Sequence, residues 1–121
     1  MVRYTAFMNA LAERLTGVKL EHVIAALGGQ SAVARLLGVH RSRVSRWLAG
    51  EEPDPRNKAK LEALEFVLSR LHHTLPASTA RKWLAGVNAH LGDRRPLDLL
   101  ACHRVAEVVA AIEQTELDSY A

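Results

Sequence analysis

An all-α fold is the expectation for this 121-residue chain, and three observations predict it. Apolar residues recur at i, i+3, i+4 and i+7 in one segment after another, the spacing that gathers them on one face of a helix. No segment alternates apolar and polar residues with a period of two, as a half-buried strand would. Aromatics are only 5% of the residues while Ala and Leu recur throughout, and these are strong helix formers with little to offer a pleated sheet. With 49% apolar and 24% charged residues the balance is globular, and the length suits one domain with at most an appended element.

The elements follow in order. Phe7, Met8, Leu11, Ala12 and Leu15 mark a helix over Thr5 to Leu15 that ends near Gly17. Leu20, Val23, Ile24 and Leu27 mark a second, stopped by Gly28-Gly29. Ser31 is placed to cap a third over Ala32 to Leu37, with Gly38 as its stop. Arg41 to Leu48 is a short fourth helix closed by Gly50, and Glu51 to Pro55 is a turn-rich connector. Pro55 suits a first helical turn, and Leu61, Leu64, Val67, Leu68, Leu71 and Leu75 then form one stripe along the longest helix, ended by Pro76. Ser78 or Thr79 starts another that runs through Trp83 and Leu84 toward Gly86. Asn88 to Arg95 reads as a loop, Pro96 to Leu100 as a short helical segment, and Ala101 to about Thr115 as a last helix with Val105, Val108, Val109 and Ile112 inward. The expected organisation is a helix-turn-helix region with its N-terminal helix in 1–60, then a linking helix and a small helical module in 61–121.

Charge is unevenly spread. The net charge is +3, but segment 31–60 carries seven basic and three acidic residues and segment 81–104 five and two, whereas 105–121 has four acidic residues and no Lys or Arg. Two basic regions and an acidic end imply more than one contact surface. The single Cys102 cannot close an intramolecular disulfide, no signal-peptide pattern is present, and the longest apolar stretches fall far short of the ~20 residues that span a bilayer. A cytoplasmic protein without a membrane association is expected.

The strongest motif is Gln30 to Trp47 (QSAVARLLGVHRSRVSRW). Two helices joined by a three- to four-residue turn touch closely, which needs a small residue on the first helix, here Ala34, and a permissive backbone at the turn, here Gly38. Val39, Val44 and Trp47 fall on the inner side, with Val33 and Leu37 opposite. The outward positions are then His40, Arg41, Ser42, Ser45 and Arg46, with Arg43 at the flank. This is the spacing of a DNA-binding helix-turn-helix, in which Arg can bond guanine bidentately and Ser can meet a base or a phosphate in the major groove of double-stranded DNA. For an arbitrary helix the same arginines would be a solvated face; inside this spacing they read as a DNA-contacting one. Because one short recognition helix reads few bases, a homodimer on an operator is expected. Lys58 and Lys60 could approach a phosphate or simply keep the long helix soluble. His72-His73 and Cys102-His103 have no partners at zinc-like spacing, so neither metal nor cofactor is expected. No nucleophile–base set, paired carboxylates or Gly-rich phosphate cradle stands out, which speaks against an enzyme.

The C-terminal third asks for its own purpose. Trp83-Leu84, Asn88, Leu91-Gly92 and Arg95-Pro96-Leu97-Asp98-Leu99-Leu100, followed by a Val-rich helix, resemble the toxin-binding domain of the Xre/MbcA/ParS-type antitoxins, in which a helix-turn-helix like Gln30 to Trp47 precedes this module. The resemblance covers most of residues 20–121. It departs where the family has a Pro-Asn-Pro-like turn and this chain has Val87-Asn88-Ala89, where Asp93 replaces a second Gly, and where Ala101-Cys102-His103 shortens a Gly-containing loop. The resemblance implies a type II antitoxin that neutralises an NAD-consuming RES-domain toxin by direct binding and represses its own operon. It also implies toxin-binding roles for Trp83, Asn88, Leu91, Gly92, Arg95, Pro96, Leu97 and Asp98, and for Glu113, Glu116, Asp118 and Tyr120 near the C-terminus. An acidic tail would be drawn to a basic pocket that handles the NAD pyrophosphate; it can equally be a solvated terminus. Trp83 can be core or anchor, and Asp98 can simply favour the positive start of its helix. An autonomous dimeric repressor with no toxin partner is the alternative, separated from the first reading by the Trp83 to Leu100 module. An adaptor without DNA binding is disfavoured by Arg41, Arg43 and Arg46.

Overall fold

The structure, a computed structural model, describes residues 19–119, and within them the fold is all-α with no strand. The helix read over Thr5 to Leu15 lies outside the described residues. Helix α1 covers 19–27, and then come α2 (Gln30–Leu37), α3 (Arg41–Leu48), α4 (Pro55–Thr74), α5 (Ala77–Ala85), a one-turn 3-10 helix (Ala89–Leu91), α6 (Pro96–Ala101) and α7 (Val105–Ser119). No helix among the described residues is long and apolar enough to cross a membrane.

One apolar core runs through all of them. Helices α2 and α3 contribute Val33, Ala34, Leu37, Val44 and Trp47, α4 contributes Leu61, Leu64, Val67, Leu68 and Leu71, and α5 to α7 add Ala80, Leu84, Leu99, Leu100, Val108, Ala111 and Ile112. Among the described residues the expected stripes face the core, with Ile24, Leu27, Leu75, Val105 and Val109 only partly buried, and α4 packs against α5, α6 and α7 while α2 packs against both α3 and α6. Polar side chains fasten the elements at their edges. His22 on α1 meets Glu65 on α4 at 3.0 Å, and the Arg81 guanidinium on α5 donates to the carbonyls of Ala25 and Ala26 at 2.7 and 3.1 Å, satisfying acceptors left open at the end of α1.

Element ends differ from the sequence expectation where a local hydrogen bond decides them. Helix α2 starts at Gln30 with Gly29 as its N-cap, so Ser31 lies inside the helix and does not cap it. Helix α4 ends at Thr74 because Leu75, preceding Pro76, takes an extended backbone (φ −125°, ψ 143°), and α5 begins at once, at Ala77. The loop expected over Asn88 to Arg95 is tighter than a loop. Its ends form an antiparallel bridge between Asn88 and Arg94, and the Asn88 side chain accepts from the His90 amide at 2.9 Å to start the 3-10 turn. The last helix does not begin at Ala101. His103 adopts φ 62°, the Arg104 amide bonds back to Leu99 O at 2.9 Å, and α7 starts only at Val105 and continues past Thr115 to Ser119.

Asp54 caps α4 and ties it to α3. Its carboxylate accepts from the Asn57 side chain at 2.7 Å and from the Asn57 amide at 3.3 Å, with Arg43 of α3 3.6 Å away. The Asn57 side-chain hydrogen bond foremost, with the backbone bond and Arg43 adding to it, holds the Asp54 carboxyl below its ordinary range. A carboxylate with a lowered folded-state pKa stabilises the fold above its unfolded pKa and loses that contribution as pH falls. The gap in urea midpoint between wild type and Asp54→Ala is therefore expected to be constant above about pH 5 and to close as pH falls below about 4. A gap that does not change with pH would mean the carboxylate's charge is irrelevant to the cap.

Candidate functional site

The unit of α2, a three-residue turn and α3 is organised around Gly38. Its backbone is left-handed (φ 70°, ψ 33°), which an L side chain adopts only with strain, and it lets the Val39 amide reach back to Ala34 O at 3.0 Å. That reversal brings α3 onto α2 at the small Ala34, with Val44 fully buried and Trp47 6% exposed. The six residues expected to face DNA are all exposed. They are not equally available. His40 is the N-cap of α3, its Nδ1 accepting from the Ser42 amide at 3.1 Å and lying 2.8 Å from the Ser42 hydroxyl. The Ser45 hydroxyl donates to Gln30 Oε1 at 2.7 Å, fixing the start of α2 to the outer face of α3. Arg43 is near Asp54 and Arg46 is 3.4 Å from Glu51. Arg41 has no ion-pair partner among the described residues. Lys58 meets Glu52 at 3.3 Å. Gln30 and Arg81 are positioning residues the sequence did not signal, since each acts through an acceptor or donor remote in the chain.

The residues the resemblance pointed to in the C-terminal third divide by burial. Leu91 and Pro96 are core residues, so they shape the module from inside. Trp83 and Leu97 are half-buried, packed on the core with part of each side chain outward. Asn88 holds the 3-10 turn, and Gly92, Arg95 and Asp98 are exposed. Arg95 and Asp98 form a two-pronged pair at 3.0 and 3.1 Å across the start of α6. The acidic end is a folded helix and not a loose tail. Glu116 lies against Arg70 and Thr74 of α4 at 3.4 and 3.3 Å, Asp118 lies 3.2 Å from His90, and Glu113 is exposed. Tyr120 lies outside the described residues.

Among the described residues, the two non-glycine residues with positive φ, Asp93 (φ 60°) and His103 (φ 62°), stand where the chain departs from the antitoxin pattern it resembles. Asp and His are among the residues that tolerate this region best, so the backbone turns survive without the expected glycines.

No protein-family model matches the chain, and no curated protein does. Among solved structures, a chain of the M. tuberculosis MbcT–MbcA toxin–antitoxin complex matches with a TM-score of 0.69 at 29% identity, over 80% of this chain and 89% of that one. In fold and order of parts, this chain is similar to that chain, in keeping with its resemblance to the Xre/MbcA/ParS-type antitoxins. The match takes in most of the chain, so the likeness is not confined to a short DNA-binding motif.

The two left-handed turns carry a measurable cost. Replacing His103 by Gly removes a left-handed penalty of about 1–2 kcal/mol and adds the extra unfolded-state freedom of glycine, about 0.5–1 kcal/mol. His103→Gly is thus expected to unfold at a higher temperature than the parent. A lower midpoint would show that the His103 side chain contributes more than its backbone strain costs.

Proposed function

We propose that this chain is a non-enzymatic, cytoplasmic antitoxin that neutralises an NAD-consuming RES-domain toxin by direct contact, and that as a homodimer it represses its own operon. The observation that carries the reading is the match, over most of both chains, to a chain of a toxin–antitoxin complex. Residues 1–60 serve the operator and residues 61–121 the toxin. On the DNA side α3 presents Arg41 first. Arg43 and Arg46 are held by carboxylates that an approaching phosphate or base edge would have to displace, whereas among the described residues Arg41 has no competing ion pair to break. His40, Ser42 and Ser45 set the pose of α3 by their own hydrogen bonds and still lie on its outer face.

On the toxin side, half-buried Trp83 and Leu97 provide an apolar footing, and Arg95 and Asp98 a polar rim. The acidic end of α7 acts as a rigid arm. Because Glu116 and Asp118 are engaged on the chain's own α4 and 3-10 turn, Glu113 is the carboxylate offered outward to a basic pocket that binds the NAD pyrophosphate.

The test uses the cognate toxin and operator fragment with three proteins. The full chain is expected to stop NAD consumption and to bind the operator. Arg41→Ala with Arg46→Ala should lose roughly 1–3 kcal/mol per residue on the operator and less on random DNA, with neutralisation unchanged. Glu113→Lys should keep operator binding and inhibit less. Operator binding by the full chain with no toxin binding would instead identify an autonomous repressor, and NAD consumption that continues despite binding would remove neutralisation from the account.

A further inference from the structure

Helix α4 buries one face in the core and, among the described residues, leaves the other exposed. The exposed face carries Ala59, Glu62, Phe66, Ser69 and His73, with Ala63 and Arg70 along its edge. Phe66 sits in the middle of the helix and is 51% exposed. A single exposed aromatic is ordinary on a protein surface. Here its setting is not ordinary, because the charges around it form a self-complementary pattern. Glu62 lies one turn before Phe66 and Arg70 one turn after, and the residues beside the ring, Ala63 and Ser69, are small enough to let another backbone approach.

We propose that two copies of this chain dimerise through the outer face of α4, packed antiparallel about a two-fold axis at Phe66. In that arrangement a residue a given distance before Phe66 meets the residue the same distance after it in the other copy. Glu62 then faces Arg70 of the second copy, twice over, Ala63 faces Ser69, and Ala59 faces His73. A parallel pairing would set Glu62 against Glu62 and Arg70 against Arg70, which disfavours it. Glu62 has no ion-pair partner among the described residues, and Arg70, though 3.4 Å from Glu116, keeps 34% of its side chain exposed. A guanidinium has five donors, enough for a carboxylate on each side. A helix of this length runs about 30 Å, so the seam extends well beyond Phe66. The proposal rests on the operator-binding reading only for the need of a second copy; the charge pattern stands apart from it.

The experiment is sedimentation of the full chain over a concentration series, read beside circular dichroism to confirm folding. Wild type is expected to show a monomer–dimer equilibrium, and Phe66→Glu to raise the dissociation constant by roughly 30-fold or more, as loss of a central aromatic anchor does. Glu62→Arg and Arg70→Glu should each weaken the dimer and the double reversal should restore it. A second measurement keeps Phe66 and avoids any charge introduced at the seam: Ala63→Cys with Ser69→Cys, which face each other across the axis, should cross-link the two copies on mild oxidation in a Cys102→Ser background. A monomeric wild type, a dimer indifferent to Phe66→Glu, no cross-link, or no restoration by the double reversal would each overturn the proposal. Operator binding measured in parallel separates the two readings. A dimer that passes these tests yet binds no operator leaves the interface standing and removes the repressor role, whereas a monomeric wild type that binds the operator leaves the repressor role standing and removes the interface.

Discussion

Helix α2 is pressed between α3 on one side and α6 on the other, and the placement of both candidate surfaces depends on that packing. At eight residues it is too short to persist as an isolated helix in water. Its stability comes from burying Val33, Ala34 and Leu37. Ala34 controls how near α3 can lie, and Gly38 controls the direction in which α3 leaves. A larger residue at Ala34 or a conventional backbone at Gly38 would move the outward face of α3 as a whole, without touching any residue on it. The same helix contacts α6, so a shift there reaches the C-terminal module too.

Electrostatics orders the surface more than it stabilises it. The ion pairs of α3 and α7 are exposed or partly so, and such pairs contribute about 0–1 kcal/mol each. Their effect is selective. Carboxylates of the Glu51 to Asp54 connector occupy Arg43 and Arg46, so among the described residues of α3 it is Arg41 that a ligand meets without having to break a pair. On α7, contacts to Arg70 and His90 turn what reads in sequence as an acidic tail into a helix with a defined direction. Charge counted along the chain gave the sign of each surface, and the folded pairings decide which charges remain available.

Much of the architecture was legible because it rests on periodicity and on Gly and Pro. The α3 boundaries, the Pro55 start of α4 and the stripe from Leu61 to Leu71 follow directly from side-chain spacing. What escaped were features set by hydrogen bonds between groups that no pattern links. Ser31 has the composition of an N-cap, but the Gly28-Gly29 turn ends α1 so abruptly that α2 has already begun at Gln30. His40 caps α3 through a ring nitrogen, a role propensity does not assign to histidine. The break before α7 needs a left-handed residue, and His103 supplies it where a glycine would have been the visible sign. Of the candidate site, the outward set on α3 was readable from phase alone. That Leu91 and Pro96 lie inside the module, and that Ser45 is tied to Gln30, required the tertiary structure.

The central claim is that both candidate surfaces stand on one continuous core. The chain's two tryptophans test it, since Trp47 lies in the α2–α3 unit and Trp83 on α5, packed against the core from the other end. Urea unfolding of Trp47→Phe and Trp83→Phe, followed by the fluorescence of the one remaining indole and by circular dichroism, reports each end separately. Transitions that coincide within each variant across both probes are the expected result, because a shared core unfolds cooperatively. A Trp83 signal that changes at a denaturant concentration where the helical signal is still intact would show two independently folding parts and contradict the account.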